Sequence, residues 1–289
     1  MKKTVILVTG SNGQLGCELQ VLAAHYPHYT FIFTDKDELD ITQVNQVEAL
    51  ISEKEINVII NTAAYTNVEK AEDEEEKANA INNTAVANLA KLSKQNSIKL
   101  IHISTDYVFD GSEKRPYLES DFKYPLNVYG TTKAKGEDAM VAQNPPNSAI
   151  IRTSWLYSSF GNNFVKKMKT LLTEKEEISV VADQTGAPTY AADLAISILE
   201  ILPKLNSNNT EIYHFTNLGS CTWYLFAQKI KLHLQSNCTI KAVDSTVFKT
   251  KAVRPKYSIL DTQKIKNTFH IEIPQWENSL EKCLKIIKK

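Results

Sequence analysis

Thr4-Val-Ile-Leu-Val-Thr9 runs straight into Gly10-Ser-Asn-Gly13-Gln-Leu-Gly16, and a helical pattern follows to about Ala24. A short β-branched apolar run ended by glycine reads as a buried strand. Strand, glycine turn and helix in that order form the context in which such glycines carry chemistry. They permit a tight turn and let a pyrophosphate approach bare backbone at a helix N-terminus, where N–H groups are free. The spacing, G-x-x-G-x-x-G, departs from the commoner G-x-G-x-x-G. Three of the nine glycines nevertheless fall in this one turn. The reading is a dinucleotide-binding turn, with Gly10, Asn12, Gly13, Gln14, Leu15 and Gly16 as cofactor contacts.

The alternation continues outward. Tyr29 to Thr34 reads as the second strand and ends at Asp35. An acid about 20 residues beyond the glycines suits a hydrogen bond to an adenosine ribose hydroxyl, which favours NADH. Lys36 beside it suits a 2′-phosphate, which favours NADPH, and Asp35 also reads as a plain turn residue. Asp40-Ile41-Thr42 opens a helix to about Lys54. Asp40 and Ile41 are further cofactor candidates, although Asp40 or Thr42 also suits a cap. Asn57 to Asn61 is a third strand, and the small residues Ala63 and Ala64, with Tyr65, leave room for a ligand at its end. A long helical stretch to about Gln95 has Ala78, Ile81, Ala85, Leu89 and Leu92 as its apolar stripe. Asp73-Glu-Glu-Glu76 reads as an acidic, exposed first turn, favoured by the helix dipole.

Ile98 to Ser104 is the fourth strand, followed by Thr105-Asp-Tyr-Val-Phe109. Ligands bind at the carboxyl ends of strands in such sheets, so Thr105 and Asp106 are placed to meet a substrate. The loop to Pro125 reads as a flexible flap. Asn127-Val-Tyr-Gly-Thr-Thr-Lys133 then places Tyr129 and Lys133 one helical turn apart. A neighbouring ammonium favours phenolate and should lower the tyrosine from a pKa of roughly 10, as suits a general acid. Ala149 to Thr153 is a fifth strand. The fold class is α/β: a Rossmann-like, doubly wound parallel sheet over residues 1–153. Residues 154–289 form a smaller lobe, with some segments returning to the first domain.

Bulk composition agrees. A chain of 289 residues, 43% apolar and 23% charged, suits a globular protein of one large or two intimate domains. The 33 basic and 33 acidic residues balance, against the basic excess of a nucleic-acid binder. Four separated cysteines give neither a disulfide framework nor a zinc motif. The apolar run after Lys2-Lys3 is too short for a signal peptide, and no run reaches the roughly 18 residues of a membrane span. A cytoplasmic protein with no metal is expected. The six histidines have no ligand spacing and read as structural or exposed.

Together, Gly10-x-x-Gly13-x-x-Gly16, Ser104-Thr-Asp-Tyr-Val-Phe109 and Tyr129-x-x-x-Lys133 resemble the extended short-chain dehydrogenase/reductases. Arg152-Thr-Ser-Trp-Leu-Tyr157, Asp183-Gln-Thr-Gly-Ala-Pro-Thr189 and Arg254-Pro255 resemble the dTDP-4-dehydrorhamnose reductase branch. The resemblance implies hydride transfer from NADPH, or NADH, to the C4 ketone of a dTDP-linked 4-keto-6-deoxy sugar. It implies that Tyr129 donates the proton, Lys133 holds the nicotinamide ribose, and Thr105 holds the sugar oxygen. Thr66, Val68 and Trp155 would line the sugar pocket, and Arg254 suits a diphosphate. Related dehydratases carry Thr-Asp-Glu. Tyr107 stands at the third position here, which favours reduction. Some members bridge a homodimer through magnesium and surface glutamates. Glu18 matches one such position and Ala192 stands at another, and dimerisation is left open. Competing readings are a reductase or epimerase on another nucleotide-linked sugar, or a non-catalytic cofactor-binding regulatory subunit.

Overall fold

The computed structural model describes residues 3–287. Six strands form one parallel sheet: β1 (Thr4–Thr9), β2 (Tyr29–Thr34), β3 (Val58–Asn61), β4 (Lys99–Thr105), β5 (Ala149–Thr153) and β6 (Glu211–His214). Their order is β6-β5-β4-β3-β1-β2. The chain builds outward from β1 in one direction to β2, then crosses back to β3 and continues the other way. The strand order therefore reverses beside β1, and the crevice above β1 and β3 is where such a sheet takes a ligand.

β1 shows why the sheet needs both faces covered. Ile6 and Val8 pack into one core while Leu7 packs into another. Period-2 alternation puts successive side chains on opposite faces, so an unbroken apolar run must be buried twice. The helices α1 (Gln14–Ala23), α6 (Ala191–Ile201) and α8 (Gln263–Phe269) supply Leu15, Leu19, Leu194, Ile198 and Ile265 to the first core. On the other face, α2 (Val44–Lys54), α3 (Ala85–Gln95) and α4 (Val128–Gln143) supply Val47, Ile51, Leu89 and Met140. β6, α6 and α8 come from the second half of the chain and complete this layer.

A separate core lies between α5 (Phe164–Glu174), α7 (Trp223–Leu234) and α9 (Trp276–Ile287). Val165, Met168, Phe226, Ile230, Leu280 and Leu284 form it. The strand pair Glu177–Val181 and Thr239–Val243 flanks it. Asn127, Asn163 and Thr222 each accept from a backbone N–H in the first turn of α4, α5 and α7, whereas the Asp40 or Thr42 cap expected for α2 is not formed: Asp40 Oδ1 accepts from Thr42, and α2 starts beyond it at Val44.

Two expectations are corrected. The long helix before Gln95 is broken into Val68–Ala71, Glu75–Asn79, a π-helical turn Ala80–Thr84, and α3. Asn82 explains the break: its buried amide bonds the Tyr65 backbone N–H and C=O and the Thr132 hydroxyl, fastening the turn to the β3 loop and to α4. The loop after β4 is not a loose flap. Tyr117 is buried and stacks on Phe109 at 4.2 Å. Its backbone pairs with Ile259 and Asp261, and Arg115 grips Asp121 with two 2.8 Å bonds.

Candidate active site

The carboxyl ends of β1, β3, β4 and β5 open into one cleft of about 1070 Å³. At its floor the glycine turn folds as the spacing requires. Gly10 has φ +68°, and a Cβ there would stand 2.6 Å from the backbone of Ala63. A Cβ on Gly16 would meet Ser11 Cα at 2.5 Å. Ser11 N–H donates to Thr34 O and Gly13 N–H to Gly10 O, fixing the turn between β1 and β2. The first turn of α1 carries no acidic residue, although Asp35 takes the Asn12 N–H of the turn before it. This floor fits a dinucleotide pyrophosphate. Gly10→Ala should force the turn away from Ala63 and weaken NADPH binding by about tenfold or more, measured by fluorescence titration.

Gly10, Asn12, Gly13, Gln14 and Leu15 line the cleft, as do Asp35, Asp40, Ile41, Ala63 and Ala64. Gly16 packs beneath the turn instead. Tyr65 also lies outside the lining, its hydroxyl donating to Glu74 at 3.0 Å. Both carboxylate oxygens of Asp35 accept backbone N–H bonds, from Asn12 at 2.9 Å and Lys36 at 2.8 Å. Lys36 and Lys77 line the cleft as cations.

At the other end stand Thr105, Asp106, Tyr129, Lys133, Thr66, Val68 and Trp155. Asn127 holds the start of α4 from both sides, accepting from Gly130 N–H and donating to Val253 O, each at 2.8 Å. Tyr129 thus sits in a pinned first turn, with its ring edge-on to Tyr107 at 5.7 Å. The lowering expected from Lys133 is not found. Burial pushes Tyr129 up to about 12, against a hydrogen bond from Thr105 that pulls it down. The lysine ammonium is held elsewhere, donating to Ile103 O at 2.6 Å and meeting His102 Nε2 at 3.1 Å. Burial draws Lys133 down to about 8. At neutral pH the phenol therefore carries its proton and the lysine is mostly charged.

Asp106 is buried, and its Oδ2 has no hydrogen-bond partner among the described residues. Burial raises its pKa to about 7, opposed by the hydroxyls of Ser258 and Thr105. The unfolded value is about 3.9. The folded state thus holds the proton more tightly, so stability present at low pH is lost as pH rises towards about 7. Asp106→Asn should raise the melting temperature relative to the parent more at pH 8 than at pH 5. Equal differences at both pH values would show that Asp106 is ionised throughout.

Trp155 takes φ +46°, a strained conformation for an aromatic residue, and stacks on Trp223 at 3.5 Å and 9°. Trp223 also lines the cleft and was not singled out in the sequence, where it belongs to no motif. Arg254 is committed to Glu69 at 2.6 Å and lies outside the lining. Glu18, matched above to a surface glutamate, is buried and accepts from Ser158 at 2.6 Å. Among the described residues no cluster of three or more acids, histidines or cysteines is arranged to hold a metal, and no helix is long and apolar enough to cross a membrane.

A doubly wound parallel sheet, a glycine turn at its switch point and a Thr–Tyr–Lys cluster at the carboxyl ends define a class, the extended short-chain dehydrogenase/reductases. Within it, the family model described as RmlD substrate binding domain matches residues 3–289, and the chain belongs to that family. A dTDP-4-dehydrorhamnose reductase of Aggregatibacter actinomycetemcomitans is 39% identical over 288 residues, covering 96% of this chain and 97% of the relative. The crystal structure of dTDP-4-dehydrorhamnose reductase from Bacillus anthracis in complex with NADP is 40% identical, with a TM-score of 0.93. That likeness covers 99% of this chain and all of the other. A dTDP-4-keto-6-deoxy-D-glucose reductase of Streptomyces niveus is 34% identical over 282 residues, covering 97% of this chain and 96% of the relative.

Proposed function

We propose that the chain catalyses NADPH-dependent reduction of the C4 ketone of dTDP-4-dehydro-L-rhamnose to dTDP-L-rhamnose. The supporting observation is a single cleft that joins a pyrophosphate-fitting glycine turn to Thr105, Tyr129 and Lys133, in a chain spanning nearly all of a reductase of that name. Residues 1–153, with β6, α6 and α8, would hold the cofactor. The remaining lobe would cover the nucleotide end of the substrate.

NADPH, when bound, supplies the hydride. Gly10, Gly13 and the N-terminus of α1 would hold its pyrophosphate, with Lys36 near the adenosine ribose. Lys133 would hold the nicotinamide ribose. Thr105 orients the ketone oxygen, and Tyr129 gives its proton to that oxygen as negative charge develops. The high pKa of Tyr129 keeps the proton in place until then. Asp106, neutral below about pH 7, adds no repulsion to the developing alkoxide. Thr66, Val68 and the Trp155–Trp223 stack would form the sugar and nucleotide side of the cleft. Partners are a dTDP-linked 4-keto-6-deoxy sugar and, as a further proposal, a second copy of the chain.

The test is loss of NADPH absorbance with a panel of 4-keto-6-deoxy sugar nucleotides, against both NADPH and NADH. The reading predicts the highest kcat/KM with dTDP-4-dehydro-L-rhamnose. The Streptomyces niveus relative gives a second reading its footing, reduction of dTDP-4-keto-6-deoxy-D-glucose. Preference for that sugar would select it. Tight cofactor binding without turnover of any member would indicate a regulatory protein.

A further inference from the structure

A row of hydrogen bonds runs inward from Lys133, away from the cleft. Lys133 Nζ meets His102 Nε2 at 3.1 Å, His102 Nδ1 meets Asn61 Nδ2 at 3.0 Å, and Thr9 Oγ1 donates to Asn61 Oδ1 at 2.7 Å. All four residues are at most 1% exposed. Thr9, Asn61 and His102 are register partners on β1, β3 and β4, so their side chains stand side by side on one face. No apolar residue interrupts them, in a sheet whose other central positions are largely apolar.

Counting protons fixes how this row must be wired. Burial, with the Lys133 charge second, holds His102 well below its usual range, so the imidazole is neutral. A neutral imidazole has one N–H and one acceptor nitrogen, whereas an ammonium has three donors and no acceptor. Nε2, which faces the lysine, must then be the acceptor, and Nδ1 must carry the hydrogen. Nδ1–H needs an oxygen, so this wiring requires the Asn61 amide turned end for end from its placement in the structure, with the carbonyl towards His102 and the NH₂ towards Thr9 Oγ1. Amide oxygen and nitrogen are assigned from such networks. The reverse wiring aims Nε2–H at Lys133 and is compatible only with a neutral amine.

We propose that His102, held in its Nδ1–H form by Asn61, is a positioning residue for Lys133. It and Ile103 O occupy two of the three ammonium hydrogens and leave the third for the ribose hydroxyls of the cofactor. The ribose part rests on the function proposed above. The other group that sets this charge is Glu137, one turn along α4 and itself paired with Arg152 of β5. Asp106 lies beside Tyr129 from the loop after β4. Across the cleft stand Lys36, Lys77, Asp35 and Asp40. Of these, Glu137 favours the charged lysine, and His102 adds a bond that only the charged or donor form makes well.

Two measurements on the whole protein test this. In nitrogen-15 NMR of histidine-labelled parent protein, His102 should show a protonated Nδ1 and a bare Nε2, assigned by the signal lost in His102→Gln. A protonated Nε2 overturns the proposal, and this result needs no variant to be active. NADPH affinity is then followed against pH for the parent, His102→Gln and His102→Leu. The parent should lose affinity above about pH 8, where Lys133 gives up its proton. Glutamine keeps an acceptor for the lysine, and its profile should stay close to the parent's. Leucine removes the acceptor, favours the neutral amine, and should move that limb down by about one pH unit, a roughly tenfold loss of affinity at pH 8. A leucine variant that weakens binding equally at all pH values would show packing alone and end the proposal. Parent protein that binds no NADPH at any pH would instead overturn the functional reading, while the tautomer still decides the wiring of His102.

Discussion

Tyr129→Phe lowers kcat by about 10²-fold or more while NADPH affinity stays within about twofold. The substitution removes one oxygen and keeps the ring. Phenylalanine retains the edge-on contact with Tyr107 at 5.7 Å, in a helix turn pinned by Asn127. Lys133 keeps both of its partners, Ile103 O and His102. What disappears is the proton donor that a reduced ketone requires. Separate measurement of kcat and of cofactor dissociation divides the two effects. A variant with parental kcat would mean that another group gives the proton. Asp106, raised to about 7 and near Tyr129, would then be the first to examine.

Glu137→Leu should cost about 3–5 kcal/mol of folding stability, because it leaves a buried guanidinium without its counter-ion. Glu137 is wholly buried and accepts from Arg152 Nε at 2.9 Å, Arg152 Nη2 at 2.7 Å and Ser104 Oγ at 2.5 Å. Burial pushes its pKa up, but Arg152, Lys123 and Ser104 together outweigh burial and hold the carboxyl below its usual value. Arg152 lies over the Phe109 ring at 5.0 Å and beside His214, which burial and the arginine together hold neutral with a pKa of about 3. Neither neighbour compensates the orphaned charge. The double variant Glu137→Leu with Arg152→Met replaces the pair by apolar volume and should recover most of the loss. Urea denaturation measures both. A single variant within about 1 kcal/mol of the parent would show that water reaches Arg152.

Elements built from local pattern were legible in the sequence. β1 through β5 declared themselves as short apolar runs bounded by turn residues. The cleft-lining glycines and the Tyr129–Lys133 pair followed from the same local logic. Sequence reasoning failed where a residue answers to a distant neighbour. The π turn at Ala80–Thr84 depends on Asn82 meeting Tyr65 and Thr132, 17 and 50 residues away. The direction of the Tyr129 shift is set by burial, which distant elements packed around the ring decide. Trp223 enters the cleft only because the second lobe folds over Trp155. His102 itself, set aside among six histidines without metal spacing, had no signal beyond its place on a strand aligned with Asn61.

In the proposed reaction, hydride goes from NADPH to C4 of the dTDP-linked sugar as Tyr129 protonates the oxygen. The direct measurement uses NADPH carrying deuterium at the transferred position and dTDP-4-dehydro-L-rhamnose, with the product read by NMR. The expected product is dTDP-L-rhamnose with deuterium at C4, formed by the parent and at least about 10²-fold more slowly by Tyr129→Phe. Deuterium retained in the cofactor, alongside tight NADPH binding, would contradict it.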